Sequence, residues 1–220
     1  MNQFLKIASF FLVIVFSCNA QHKKPADFIP KGYVKFEHYF GDVNKYGQED
    51  CVLIIKKVDK HNIVVNRFDK EVDRNRRGII ILFKKKNGYQ LADKNYDCFS
   101  SENEDGGIYF PPQLWIEFQR GNLLVHYGHG RYGHWRYTFR YQEASFKLIG
   151  YDASSNRGPV TLSETSINFL TKKKLTRENT NQDAEDGAEV FKETWKNIKI
   201  KKLIKLSEIK DFDDLEMYEY

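Results

Sequence analysis

The chain has no apolar run long enough to cross a bilayer as a helix, no large excess of one charge, and hardly any stretch with a helical period. Each shortage removes a class of protein. The apolar stretch Ile7 to Phe16 falls short of the roughly 20 residues that a spanning helix needs, so no membrane span is expected. Lys and Arg number 35 against 30 Asp and Glu, a formal net charge of +5 that becomes +4 once Lys6 is removed with a leader. Charges mixed in that way do not build a polyanion-binding surface, so nucleic acid is not an expected partner. No Ser/His/Asp arrangement stands out, and neither does a phosphate-cradling glycine loop ahead of a helix. Cysteine is scarce, with only Cys18, Cys51 and Cys98.

What is present begins with an address. Lys6 precedes the apolar run, and Cys18-Asn19-Ala20 offers small side chains before Gln21. That is the layout of a secretory signal over residues 1–20, cut between Ala20 and Gln21. Val15-Phe16-Ser17-Cys18 also resembles a bacterial lipobox, which implies a lipid anchor on Cys18. On either reading the product is exported, whether periplasmic, cell-surface or secreted, and a single lipidated end would anchor without spanning. About 200 residues then remain, enough for one domain with a real core, and the 15% aromatic share supports packing.

Residues 21–32 read as an extended leader with Pro25 and Pro30, 33–210 as a β-rich domain, and 211–220 as an acidic tail. Cys51 to Lys56 and Gly78 to Phe83 are β-branched, apolar and short, the signature of buried strands. Asn87-Gly88 is a two-residue hairpin signal. Residues 93–112 read as a long loop carrying Glu102, Glu104 and Asp105. Trp135, Tyr137, Phe139 and Tyr141 alternate with Arg136, Thr138, Arg140 and Gln142, which puts two opposite characters on two faces of one strand. Ile167 to Leu175 and Val190 to Ile198 read as further strands around a polar loop at 177–188. Ile198 to Ile209 is ambiguous between strand and helix. The acidic tail is expected to fray or to lie against the basic segment before it. The expectation is a mainly-β single domain with long loops, an antiparallel sandwich or an open barrel-like sheet.

In an oxidising compartment Cys51 and Cys98 invite pairing, worth roughly 4 kcal/mol on the chain-entropy model. The other reading is two buried free thiols, because Cys51 opens a very apolar strand.

Gly41-Asp42-Val43-Asn44-Lys45-Tyr46-Gly47-Gln48-Glu49-Asp50 places oxygen side chains at alternating positions, a glycine at the sharp turn and a carboxylate just before a strand. Such a loop can wrap a hard cation. The stretch 33–56 resembles a single degenerate copy of an FG-GAP or VCBS-type repeat, which implies calcium held by Asp42, Asn44 and Asp50. Tyr46 stands where the pattern has a third oxygen side chain, so the implied affinity is weak, roughly 0.1–1 mM. The same residues suit a plain Asx-turn loop without an ion.

Finally, the segment from His126 to Tyr137 sets three histidines among glycines and aromatics. His126, His129 and His134 are candidate ligands of a transition metal such as zinc. Read as a recognition surface, the segment would instead use Tyr127, Arg131, Tyr132 and Trp135, whose flat rings and guanidinium suit sugar rings or peptide side chains. The leading expectation is a non-enzymatic, exported β-domain of the cell envelope binding a protein or a glycan. The alternative is a metal-dependent hydrolase of cell-wall or dietary glycan or peptide.

Overall fold

The computed structural model describes residues 24–104, 113–181, 183, 185 and 187–220. The expected cleavage site, Cys18 and Asp105 lie outside the described residues. Strands β1 (Tyr33–Gly41), β2 (Asp50–Lys57), β3 (Ile63–Val65), β4 (Glu71–Asp73), β5 (Arg77–Lys85) and β6 (Gly88–Phe99) come first along the chain. Among them, β1, β2, β5 and β6 form an antiparallel sheet in the order β1-β2-β5-β6, while β3 and β4 make a separate small hairpin. The near-continuous apolar character of β2 and β5 follows from burial on both faces. Val52, Ile54, Ile79, Ile81 and Phe83 point into the main core. Cys51, Leu53, Ile55, Ile80 and Leu82 point the other way, under Phe28, Ile29, Tyr33, Tyr89 and Tyr96.

The remaining strands are β7 (Gln113–Gln119), β8 (Asn122–Gly128), β9 (Gly133–Gln142), β10 (Ser145–Arg157), β11 (Val160–Asn168), β12 (Lys173–Asn179) and β13 (Phe191–Asn197). They form an antiparallel meander in sequence order, seven strands wide. Neither sheet closes on itself, so the architecture is a mainly-β, open, antiparallel one with a core shared between two sheets. Ile116, Leu123, Val125, Tyr127, Tyr137, Phe139, Phe146, Leu148 and Ile167 supply the meander's side of that core. At one border the sheets meet where Phe118 presses on Gly41. A Cβ at Gly41 would lie 2.2 Å from the Phe118 ring, so only glycine admits this contact.

Several boundaries move from their sequence reading. The strand expected over 167–175 is broken by a turn after Asn168, with Lys172 at φ +55°, and pairing resumes at Lys173. The loop expected from residue 93 starts only after Phe99, because β6 runs on in pairing with β5. The ambiguous segment 198–209 is neither strand nor helix; it is irregular apart from one bridge at Lys205 and a short 3-10 turn, Leu206–Glu208.

The tail corrects its expectation most clearly. Phe212 is 1% exposed and Met217 4%. Phe212 stacks on Phe99 at 4.8 Å and meets Tyr137 and Phe139 edge-on. Its amide donates to Cys98 O at 3.0 Å, and Arg76 holds Asp211 at 2.7 Å. Asn95 donates to the carbonyls of Leu206 and Ile209 at 2.9 and 2.7 Å. Apolar residues between the acids outweigh the charges there, since burying one phenyl ring is worth about 2–3 kcal/mol.

Cys51 and Cys98 are both free and buried. The first belongs to the outer apolar layer and the second to the main core, so the four-stranded sheet lies between their side chains. The disulfide reading is thereby corrected in favour of two buried thiols, and burial raises the pKa of both.

A polar cluster ties the β3–β4 hairpin down. Lys56, 7% exposed, bonds Asp73 at 2.8 Å and also Glu102, while the buried Arg77 donates to Ser100 O at 2.8 Å. Asn75 completes it, donating to Asp59 O at 3.0 Å and accepting the Asp59 amide.

Candidate ligand-binding face

The alternation noticed along β9 extends from β7 to β11, where one face of each strand enters the core and the other faces away from it. Strands β12 and β13 continue the same register beyond the core, and β13 is exposed on both faces except at Phe191. Register pairs give the outward face three complete rows, each with one residue per strand. The central row runs Trp115, His126, Arg136, Asp152, Ser166, Leu175, Trp195. Beside it runs Gln113, Gly128, His134, Ser154, Glu164, Arg177, Glu193, and on the other side Glu117, Leu124, Thr138, Gly150, Asn168, Lys173, Asn197.

Adjacent members of these rows are linked. Trp115 stacks flat on His126, with centroids 4.7 Å apart and planes 9° apart. Such cross-strand aromatic pairs are the units that stabilise a sheet face. His126 Nε2 lies 3.0 Å from Glu117. Burial holds the His126 imidazole below its usual pKa, Glu117 partly offsets this, and Arg136 adds to the depression. Arg136 donates to Asp152 at 2.7 Å, and Ser166 Oγ donates to the same carboxylate at 2.8 Å. His134 Nδ1 and Ser154 Oγ are 2.9 Å apart. Arg177 pairs with Glu164 and, at 3.2 Å, with Glu193.

Two recesses open on this face. A smaller one of about 220 Å³ is lined by His134, Asp152, Ser154, Glu164, Ser166 and Arg177. A larger one of about 580 Å³ lies against Asn168, Lys173, Leu175 and Trp195. Ser166 and Leu175 border both, so the recesses adjoin. Trp195 is 62% exposed and Trp115 38% exposed, at opposite edges of the sheet.

The residues singled out from the sequence are divided among different environments. Tyr127 is 0% exposed, packed on Phe99, Trp135 and Phe212, which corrects its expected role as a surface contact. Its even position in β8 places it on the inner face, next to Val125, so burial was the sequence-consistent outcome. Trp135 is likewise on the inner face and half-buried, with the His129 ring 3.9 Å from its own. Arg131 and Tyr132 are exposed on the 3-10 turn Gly130–Tyr132 between β8 and β9. That turn ends at Gly133, whose φ of +114° and whose approach to Ser154 O, 2.0 Å from a Cβ, both require glycine.

The three histidines do not converge. His126 and His134 lie on the outward face, while His129 packs on the inward Trp135. Among the described residues no group of three His, Cys, Asp or Glu side chains could hold a metal ion. Glu102 is committed to Lys56 and Glu104 to Ser101, so these acids serve local structure.

In the loop 41–50, Asp42 accepts backbone amides from Asn44, Lys45 and Gly47 at 3.1, 2.6 and 2.8 Å. Asn44 Oδ1 accepts from Tyr46 at 2.9 Å. Asp50, wholly buried, accepts Val43 N at 3.1 Å and Lys84 N at 2.8 Å. Burial alone would raise the Asp42 pKa, yet the amides outweigh it and hold the carboxyl below its usual range. Every carboxylate oxygen of Asp42 and Asp50 thus already accepts a peptide N–H. This arrangement is that of an Asx-type turn closed on its own backbone.

What the sequence reading missed is the placement of Trp115 and Trp195 on one row, at opposite edges of the sheet. The signal was there in part: Trp115 alternates with Leu114 and Ile116, and Trp195 sits among Glu193, Lys192 and Lys196. Only the register places the two on one row. No family model matches the chain, and no curated protein and no solved structure matches it.

Proposed function

We propose that this protein is an exported binding domain that holds a glycan against the outward face of its seven-stranded sheet. The observation that supports the reading is the pair of exposed tryptophans at the two ends of one row, on a face built mostly from hydrogen-bonding side chains. An antiparallel sheet commonly leaves one face in water, and such a face is ordinarily polar throughout. A 62% exposed tryptophan beside a half-buried leucine departs from that pattern. Aromatic rings offer flat platforms to the C–H faces of sugars, while Asn168, Ser166, Asp152 and Arg136 offer donors and acceptors for hydroxyls.

A protein partner would favour a more apolar patch. Obligate protein interfaces have apolar centres, whereas the three rows contain only Trp115, Leu124, Leu175 and Trp195 as large apolar side chains. Export rests on the leader at residues 1–20, and sequencing the N-terminus of protein recovered outside the cell tests it: Gln21, or a lipidated Cys18, is the expected first residue.

For binding itself, gel retardation in soluble polysaccharides combined with tryptophan fluorescence is the direct assay. Trp195→Ala should weaken binding by roughly tenfold or more, as expected for an exposed aromatic hot spot, with an unchanged melting midpoint. Equal binding by wild type, Trp195→Ala and Trp115→Ala would remove this face from consideration.

A further inference from the structure

Building on the glycan reading, we infer that the ligand is an uncharged, extended polysaccharide chain that crosses the strands, from Trp115 at one edge to Trp195 at the other.

Charge comes first. The chain as a whole is net +5, yet the three rows carry three cations, Arg136, Lys173 and Arg177, against four carboxylates, Glu117, Asp152, Glu164 and Glu193. The guanidinium groups are engaged as well: Arg136 by Asp152, Arg177 by Glu164 and Glu193. A site for uronate or sulfate would present an open fork of N–H donors to a bidentate anion. Here both guanidinium groups already bond protein carboxylates, Arg136 through Nη2 and Arg177 through Nη1 and Nε, and four acids face three cations, so the face offers an anionic sugar no net attraction. A hydroxyl both donates and accepts, and it adds to a neutralised pair without displacing either partner.

Length and direction come next. The central row spans six inter-strand steps at about 4.8 Å, or roughly 29 Å along the sheet. One sugar ring covers only one tryptophan; a chain must be several rings long to reach both. The adjoining recesses lie between the row's middle and its Trp195 end, and Asp152 and Ser166 already bond each other there. Their shared border makes a track that runs across the strands from β9 to β13 and not along them, and the row continues beyond it over Arg136 and His126 to Trp115.

The experiment compares neutral polysaccharides (a β-glucan, a mannan, a xylan), acidic ones (polygalacturonate, hyaluronan) and oligolysine, at low and high salt. Neutral oligosaccharides of graded length, from disaccharide to octasaccharide, follow by calorimetry. The expected result is binding of a neutral polymer with little salt dependence, and affinity rising with length. Trp115→Ala and Trp195→Ala should each weaken the longest oligosaccharide by about tenfold. For the disaccharide, at most one of them should matter. Trp195→Ala should melt like the wild type, while Trp115→Ala, which loses the stack on His126, should lose no more than about 1 kcal/mol of stability. Preference for an acidic glycan, or affinity independent of length, would overturn this inference while leaving glycan binding standing. Binding of oligolysine with no glycan of either class would overturn the glycan reading itself.

Discussion

Replacing Phe212 by alanine tests whether the acidic C-terminal segment is part of the core. The ring is 1% exposed, stacked on Phe99 and edge-on to Tyr137 and Phe139. Truncating a buried phenylalanine costs about 3–5 kcal/mol, partly from lost transfer energy and partly from the cavity left behind. The surrounding rings are themselves held by sheet pairing, so little collapse can fill that cavity. An expected loss of about 4 kcal/mol is therefore reasonable. Urea unfolding with a slope near 2 kcal/mol/M would show a midpoint lowered by about 2 M. Tyr218, in the same segment but 74% exposed, provides the comparison: Tyr218→Ala should change stability by less than about 0.5 kcal/mol. If Phe212→Ala costs under about 1 kcal/mol, the tail merely rests on the surface, and the packing argument fails.

Two further outcomes follow from the polar groups. Burial lowers the pKa of His126 and His129, so the unfolded chain binds their protons more tightly than the folded one. Their contribution is intact above the unfolded value near 6.5 and is lost as pH falls below it, so the melting midpoint should drop between pH 7 and pH 5. Replacing both histidines by glutamine should flatten that segment of the profile, and a wild-type profile already flat there would contradict the assignment. Separately, the self-closed loop at 41–50 predicts the same melting midpoint in millimolar calcium and in chelator. An ion bound at tenfold excess over its Kd would add about 1.4 kcal/mol, so a rise that vanishes in Asp42→Ala would restore the calcium centre.

The all-β class was legible from short β-branched runs and strict alternation, because the period of two is a local property of extended backbone. The alternation in β9 correctly separated Trp135, Tyr137, Phe139 and Tyr141 from Arg136, Thr138 and Arg140. The same logic, carried into β8, assigns Tyr127 to the inner face with Val125; grouping residues by closeness in sequence placed it on the surface instead. Cys51 and Cys98 show the corresponding limit. Each was readable as buried, but whether they share a face depends on strand register and the inter-strand bulges, which are set by pairing across the sheet.

The sequence by itself determined the mixed charge, the extended character of the chain and the side on which each strand's apolar residues must fall. Only the tertiary structure decided that Phe212 enters the core and that Trp115 and Trp195, 80 positions apart in the chain, occupy one row. Backbone geometry acts between neighbours and can be read residue by residue. Register and docking are chosen by the free energy of burying many distant side chains together, so no single stretch contains them.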